Sequence, residues 1–244
     1  MFWKLIEFVV RIIYWRRFRA AQKIGEAAAL LSNGKPEAAL SHLEKHGNAV
    51  HQTLIPLFAL TQGKIFEALK RFEEAEACFK TVVLANPKDA RADIALAVLT
   101  GRQFRFDECR NWLNRAIEKE SHETEQQAKA LLAHLDAVED GSKQAEYEAR
   151  AQKIANKPLI DGKTAGESAD RELLAKWIQS SDSPEVQDSM DDVALLLAFA
   201  EAKKGGHWKI GISIEDTVVV QPDGNEFSPF ALIAQWLSSK DAAK

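Results

Sequence analysis

Residues 63–87 read Gly-Lys-Ile-Phe-Glu-Ala-Leu-Lys-Arg-Phe-Glu-Glu-Ala-Glu-Ala-Cys-Phe-Lys-Thr-Val-Val-Leu-Ala-Asn-Pro. Small Gly63 and Ala75 permit close approach of two helices, Phe66, Phe72 and Phe79 fill the space between them, and Pro87 ends the second. The stretch therefore predicts a helix, a tight turn and a second helix packed back on the first. It then repeats. Phe72-Glu73-Glu74-Ala75 recurs as Phe106-Asp107-Glu108-Cys109, an offset of 34 residues. The same offset carries Phe79 onto Leu113, Val82 onto Ala116 and Val83 onto Ile117, all apolar pairs.

A helical hairpin repeated at 34 residues resembles the tetratricopeptide family. Gly63, Phe66, Lys70 to Ala75, Phe79, Val82 and Asn86-Pro87 stand in the order of its landmarks. An upstream repeat is visible over Ala20 to Gly47, where Gly34-Lys35-Pro36-Glu37-Ala38-Ala39-Leu40 occupies the turn and the start of a second helix. A fourth pair is expected from Glu123 to Ala155, with Leu131, Leu132, Leu135 and Val138 facing Tyr147 and Ile154. The resemblance covers residues 20–157 and implies a mainly α, tetratricopeptide-like solenoid with a concave groove, stable because each unit hides its apolar face against the next.

In this family the first helix of each pair lines the groove and receives a peptide or a partner helix. The resemblance places those helices near 20–33, 56–69, 90–102 and 123–139. It points to Ile24, Ala28 and Leu31, then Leu57, Leu60, Lys64 and Glu67, then Arg91, Ile94, Val98 and Arg102. Family members that clamp a terminal carboxylate use a lysine and an asparagine where this chain has Ile24 and Ala28, so that subclass is disfavoured. Lys64, Arg91 and Arg102 suit an acidic or extended peptide; solvated charges on a helix edge are the plainer reading.

Ahead of the repeats, residues 2–18 are apolar except for Lys4, Glu7, Arg11 and Arg16-Arg17. At about 100° per residue the three inner charges share one narrow face. The wide remainder carries Phe2, Trp3, Leu5, Ile6, Phe8, Val9, Ile12, Ile13 and Trp15. A bilayer span needs about 20 apolar residues; this run is shorter and interrupted, so an interfacial helix with aromatic rings at headgroup level fits better than a single spanning anchor, whose positive flank would equally keep the body cytoplasmic. Arg16, Arg17 and Arg19 would then meet anionic lipid at the cytoplasmic face. Basic residues following the apolar run reverse the order of a cleaved secretory signal. The alternative is a helix that packs within the fold or docks into a partner, leaving the protein soluble in the cytoplasm.

The 244 residues carry a net charge of −4, divided between +5 over residues 1–23 (Lys4, Arg11, Arg16, Arg17, Arg19 and Lys23 against Glu7) and −9 over the rest. An acidic body excludes a uniformly basic nucleic-acid surface. Two cysteines, Cys78 and Cys109, are too few for a disulfide framework and read as free thiols.

Residues 156–170, rich in Pro, Gly and polar side chains, predict a linker. Helices are expected at 169–180 and, after a Ser183 cap and Pro184, at 184–204. Ile210, Ile212 and Ile214 alternate with Lys209, Gly211 and Ser213, and Thr217 to Val220 is rich in β-branched residues, which predicts two strands in a hairpin. A turn at Pro222 to Asn225 and a final helix opened by Ser228-Pro229 complete a carboxy-terminal α+β unit over 158–244 that caps the solenoid.

Catalytic signatures are missing. His42 and His46 lie four apart but lack the His-Glu-x-x-His order of zincins, Gly162-Lys163-Thr164 lacks the glycine that opens a phosphate loop, and Asp223-Gly224-Asn225 lacks the rest of a calcium loop. The expectation is a non-catalytic interaction scaffold or assembly factor without cofactor, metal, nucleic acid or evident small-molecule substrate. It would be tethered to the cytoplasmic face of a membrane by residues 1–19; the alternative is a soluble regulatory or structural subunit of a complex.

Overall fold

A computed structural model describes residues 2–47, 51–119, 122–155 and 185–241, with side chains at 15, 17–47, 51–119, 124–155 and 190–235. The protein is mainly helical. In chain order the elements are α1 (Phe2–Ser32), α2 (Pro36–Gly47), a 3-10 turn (Gln52–Leu54), α3 (Ile55–Ala68), α4 (Phe72–Ala85), α5 (Ala90–Arg102), α6 (Phe106–Glu118), α7 (His122–Glu139), α8 (Ser142–Ala155), α9 (Glu185–Ala202), β1 (His207–Lys209), β2 (Val218–Val220), β3 (Glu226–Phe227) and α10 (Pro229–Asp241). The chain divides into two compact units, residues 1–129 and 130–244, with the division inside α7.

In the first unit, α1 pairs with α2, α3 with α4 and α5 with α6, and each hairpin packs on the next. One turn closes all three. A residue in the left-handed region ends the first helix: Gly34 (φ 69°), Lys70 (φ 58°) and Phe104 (φ 59°). Its N–H donates to the carbonyl three residues back, at Leu31, Glu67 and Gly101, and the following N–H donates five back, Lys35 to Leu30, Arg71 to Phe66 and Arg105 to Thr100, at 2.9–3.0 Å. This Schellman pairing satisfies carbonyls that a helix end otherwise leaves open. In the second unit Gly141 (φ 78°) takes the same place between α7 and α8. There the Ser142 hydroxyl, 3.3 Å from the Ala137 carbonyl, stands in for the second N–H.

The first unit's core lies between the paired helices, with Leu60, Phe66, Phe79, Val82, Leu96 and Leu99 in one cluster. A Cβ on Gly63 would lie 2.7 Å from Cδ1 of Phe79, so the bare glycine is what lets that ring seat between α3 and α4. At the amino-terminal hairpin, Ile24, Ala27, Leu43 and Ile65 form a second cluster. No break separates residues 2–19 from 20–32; both belong to one 31-residue helix. At 1.5 Å per residue, α1 is about 46 Å long and its 12-residue partner α2 about 18 Å.

In the second unit, α9 packs on α8, on α10 and on the sheet. Tyr147, Leu195, Trp208 and Val219 form one cluster, and Leu196, Leu197 and Ile233 belong to another. The expected two-stranded hairpin is corrected to three antiparallel strands in the order β1-β2-β3, with Trp208 opposite Val219 and Val219 opposite Phe227. The first strand stops at Lys209 instead of running through Ile214. Ile210, Gly211 and Ile212 are all buried, and the Gly211 N–H donates to the Thr217 hydroxyl at 3.2 Å instead of to a ladder. Ser213 donates to Asp216 at 2.7 Å and Thr217 to the Ser213 carbonyl at 2.9 Å, which ties the segment into a compact turn. The Pro222–Asn225 turn returns the chain as β3, and Ser228 accepts the Ala231 N–H at 3.3 Å at the start of α10. The expected linker at 156–170, the helix at 169–180 and the Ser183-Pro184 cap lie outside the described residues.

Candidate functional site

A cavity of about 360 Å³ opens in the first unit, lined by Lys64 and Glu67 of α3, Arg91, Ile94, Ala95 and Val98 of α5, and Thr124 and Gln127 of α7. α3 and α5 each open a hairpin, and the lining positions on all three helices fall at helical spacing on one face of each. Ile94, Ala95 and Val98 make an apolar floor. Lys64, Arg91 and Gln127 are exposed around it.

The charges at its rim are set by local geometry. Asp89 caps α5, accepting the Arg91 N–H at 3.1 Å, and also takes the Arg91 guanidinium at 2.9 and 2.6 Å. The guanidinium holds the Asp89 carboxyl below its ordinary range, and the carboxylate raises Arg91. Glu67 accepts from Arg102 at 3.0 Å, bridging α3 and α5. Lys64 makes no ion pair among the described residues.

Of the groove positions expected from sequence, Lys64, Glu67, Arg91, Ile94 and Val98 converge on this cavity. Arg102 reaches it only through Glu67. Leu60 turns into the α3–α4 core with 6% of its surface exposed, and Leu57, 39% exposed, stands on α3 without lining the cavity. In the first hairpin Ile24 is core, Leu31 packs beside it and Ala28 is exposed. Ala95, Thr124 and Gln127 were not foreseen. An offset of 34 carries Arg91 and Ile94 to Glu125 and to buried Ala128, whereas 33 carries them to Thr124 and Gln127; the spacing tightens by one residue at the third pair.

Among the expected membrane residues, Phe2, Trp3, Leu5, Ile6, Phe8, Val9, Ile12, Ile13 and Arg16 lie on the α1 backbone, but their side chains lie outside those described. Trp15 and Phe18 are 56% and 67% exposed, with Arg19 stacked 3.8 Å from the Trp15 ring centre. Arg17 points back to the body and donates to His51 Nε2 at 2.9 Å. On its other side the ring caps the 3-10 turn, with Nδ1 3.2 Å from the Thr53 N–H nitrogen and 3.0 Å from the Thr53 hydroxyl. No described helix is long and apolar enough to cross a membrane.

The remaining candidates are engaged locally. Glu26 lies 3.2 Å from His42 Nε2 and accepts from Lys23 at 2.7 Å, a bond that lowers its carboxyl below the usual range. The His42 and His46 rings stand 4.9 Å apart. Among the described residues no cluster of three or more His, Cys, Asp or Glu is arranged to hold a metal ion. The Asp223 carboxylate is spent on the Asn225 N–H and amide at 3.0 and 2.8 Å. Both cysteines are free thiols, and burial pushes Cys109 up to about 11, away from reactivity. Gly162-Lys163-Thr164 lies outside the described residues. Comparison with known protein families, with curated proteins and with solved structures finds no match, so the tetratricopeptide resemblance draws no support from outside the chain itself.

Proposed function

We propose that this protein is a non-catalytic, tetratricopeptide-like interaction scaffold or assembly factor that receives a protein partner in the groove formed by α3, α5 and α7. The observation that carries the reading is the convergence of Lys64, Arg91, Ile94 and Val98 on one cavity. An apolar floor with a few polar groups around it is the ordinary make-up of a recognition site. The repeated Schellman turn supports the tetratricopeptide-like part of the reading, and the sheet and α10 are read as its carboxy-terminal α+β unit.

The amino-terminal part of α1 is the proposed tether to the cytoplasmic face of a membrane. α2 is about 28 Å shorter than α1, and the exposed Trp15, Phe18 and Arg19 combine aromatic rings with positive charge, as interfacial helices do. The same residues suit docking into a protein complex, the second reading.

Two experiments test this. A photo-crosslinking amino acid at Val98 in the full chain is expected to give discrete protein adducts in cells that the same group at Leu84, 82% exposed on α4, does not; identical patterns would remove the groove from the proposal. Flotation of the full chain with vesicles containing phosphatidylserine, weakened by salt and by Phe18→Glu, is the result expected of a tether. A chain that stays at the bottom with every vesicle leaves α1 to a protein partner.

A further inference from the structure

We infer that the partner segment received by the α3–α5–α7 groove is acidic and apolar: a short peptide that lays one or two apolar side chains on Ile94, Ala95 and Val98 and sets a carboxylate against Lys64. The inference rests on the groove reading above and adds the chemistry of the occupant.

Three observations carry it. The first is the state of the charges. Among the charged lining residues, Glu67 is held by Arg102 at 3.0 Å and Arg91 by Asp89 at 2.6 Å, while the exposed Lys64 has no carboxylate in ion-pair reach among the described residues. The charge left unanswered in the groove is therefore positive. The second is the setting. Residues 24–244 carry a net charge of −9, so an acidic segment is disfavoured over most of the surface and is attracted locally where Lys64 stands. The third is the size and lining. About 360 Å³ lies at the small end of ligand sites, enough for a few side chains and too little for a whole helix. Gln127 on the third wall supplies an exposed amide that can pair with a peptide backbone.

A basic segment fails on the same grounds, because the carboxylate that lines the groove, Glu67, is already paired. A purely apolar one leaves Lys64 with nothing to meet.

The test is selection of a phage-displayed library of random twelve-residue peptides on the immobilised full chain. It is repeated on Lys64→Glu and on Gln127→Trp, a change at an exposed position that puts a bulky ring at the cavity mouth. Circular dichroism melting checks that both variants fold. The expected result is enrichment of sequences with Asp or Glu beside Leu, Ile or Phe, lost on Gln127→Trp and shifted toward Lys or Arg on Lys64→Glu. A synthetic hit in which the acids become amides is expected to bind about threefold to fivefold more weakly, the size of a solvent-exposed ion pair. Peptides that lose binding on Gln127→Trp but show no acidic preference, or that ignore Lys64→Glu, overturn the inference and leave the groove reading standing. Selection that yields no peptide sensitive to Gln127→Trp overturns both.

Discussion

The hairpins α3–α4 and α5–α6 are built on the same turn, yet their interiors are filled differently. In the first, Gly63 faces Phe79; 34 residues on, Ala97 and Leu113 hold the same places, both fully buried. A methyl gained on one helix is matched by a smaller side chain on the other, so volume is conserved across the pair. The second difference is electrical. Ala59 and Ala85 of the first hairpin correspond to Asp93 and Lys119 of the second, where Asp93 is completely buried and bonded to Lys119, with Arg115 3.5 Å away. The third is polar. Phe66 becomes Thr100, whose hydroxyl is satisfied by the Leu96 and Ala97 carbonyls at 2.8 and 3.0 Å. One backbone thus accepts two kinds of core, provided each volume and each polar group finds its complement.

The largest effects should come from the packing pair. Phe79→Ala is expected to cost about 3–5 kcal/mol and Gly63→Ala about 1–3 kcal/mol in urea unfolding. Gly63→Ala with Phe79→Leu, which transplants the second hairpin's solution, should cost clearly less than the sum of the two changes; additive costs would end the claim of complementarity.

Next is the ion pair. Lys119→Ala leaves Asp93 buried beside Arg115 alone and should cost about 3 kcal/mol, whereas Asp93→Ala combined with Lys119→Ala should lie much nearer the unaltered protein. A double variant as unstable as the worse single one would show that the carboxylate has a packing role that alanine cannot fill.

The turns offer a smaller test of opposite signs. Lys70 and Phe104 both sit in the left-handed region, where a side chain is disfavoured. Lys70 is exposed, so Lys70→Gly should stabilise by about 0.5 kcal/mol. Phe104 is half-buried with its ring 6.0 Å from that of Phe106, edge to face, so Phe104→Gly should destabilise. A common sign at the two sites would mean that the turn's strain alone governs them.

The smallest expected effect separates the α1–α2 hairpin from both. Burial, and then the charge of His42, lowers the His46 imidazole below its ordinary value of 6.5. The unfolded chain therefore binds this proton more readily. The stability His46 contributes is complete above about pH 6.5 and falls as the pH drops toward the lowered folded value. Unfolding midpoints at pH 7.5 and 5.5 should differ less in His46→Gln than in the unaltered protein. An unchanged difference would assign the pH dependence to other groups.

The repeats were legible because their signal is local and periodic. Gly63, Phe79 and Pro87 each do their work within one hairpin, and the 34-residue offset exposes the next. The same logic placed five of the eleven groove candidates, Lys64, Glu67, Arg91, Ile94 and Val98, on the cavity. Leu60 was misplaced because an apolar residue at a helix edge can serve core or groove, and only the rotation of α3 against α4 decides which. Thr124 and Gln127 were missed because the pair that begins near Glu123 carries few of the landmarks that mark groove positions in the earlier pairs. In the second unit the isoleucine alternation suggested a strand, but side-chain bonds from Thr217 and Ser213 bent the segment into a turn. The short β3 carries too little pattern to be noticed.

By itself, the sequence determined that the chain is mainly helical, where the α3–α4 and α5–α6 hairpins lie, and that its charge is divided between a basic amino terminus and an acidic remainder. These follow from periodicity, breakers and composition, which act over one or two turns of helix. Tertiary structure decided that Arg17 belongs to His51 and Arg102 to Glu67. Those outcomes depend on residues about 34 positions apart being brought within 3 Å, a distance that no local pattern encodes.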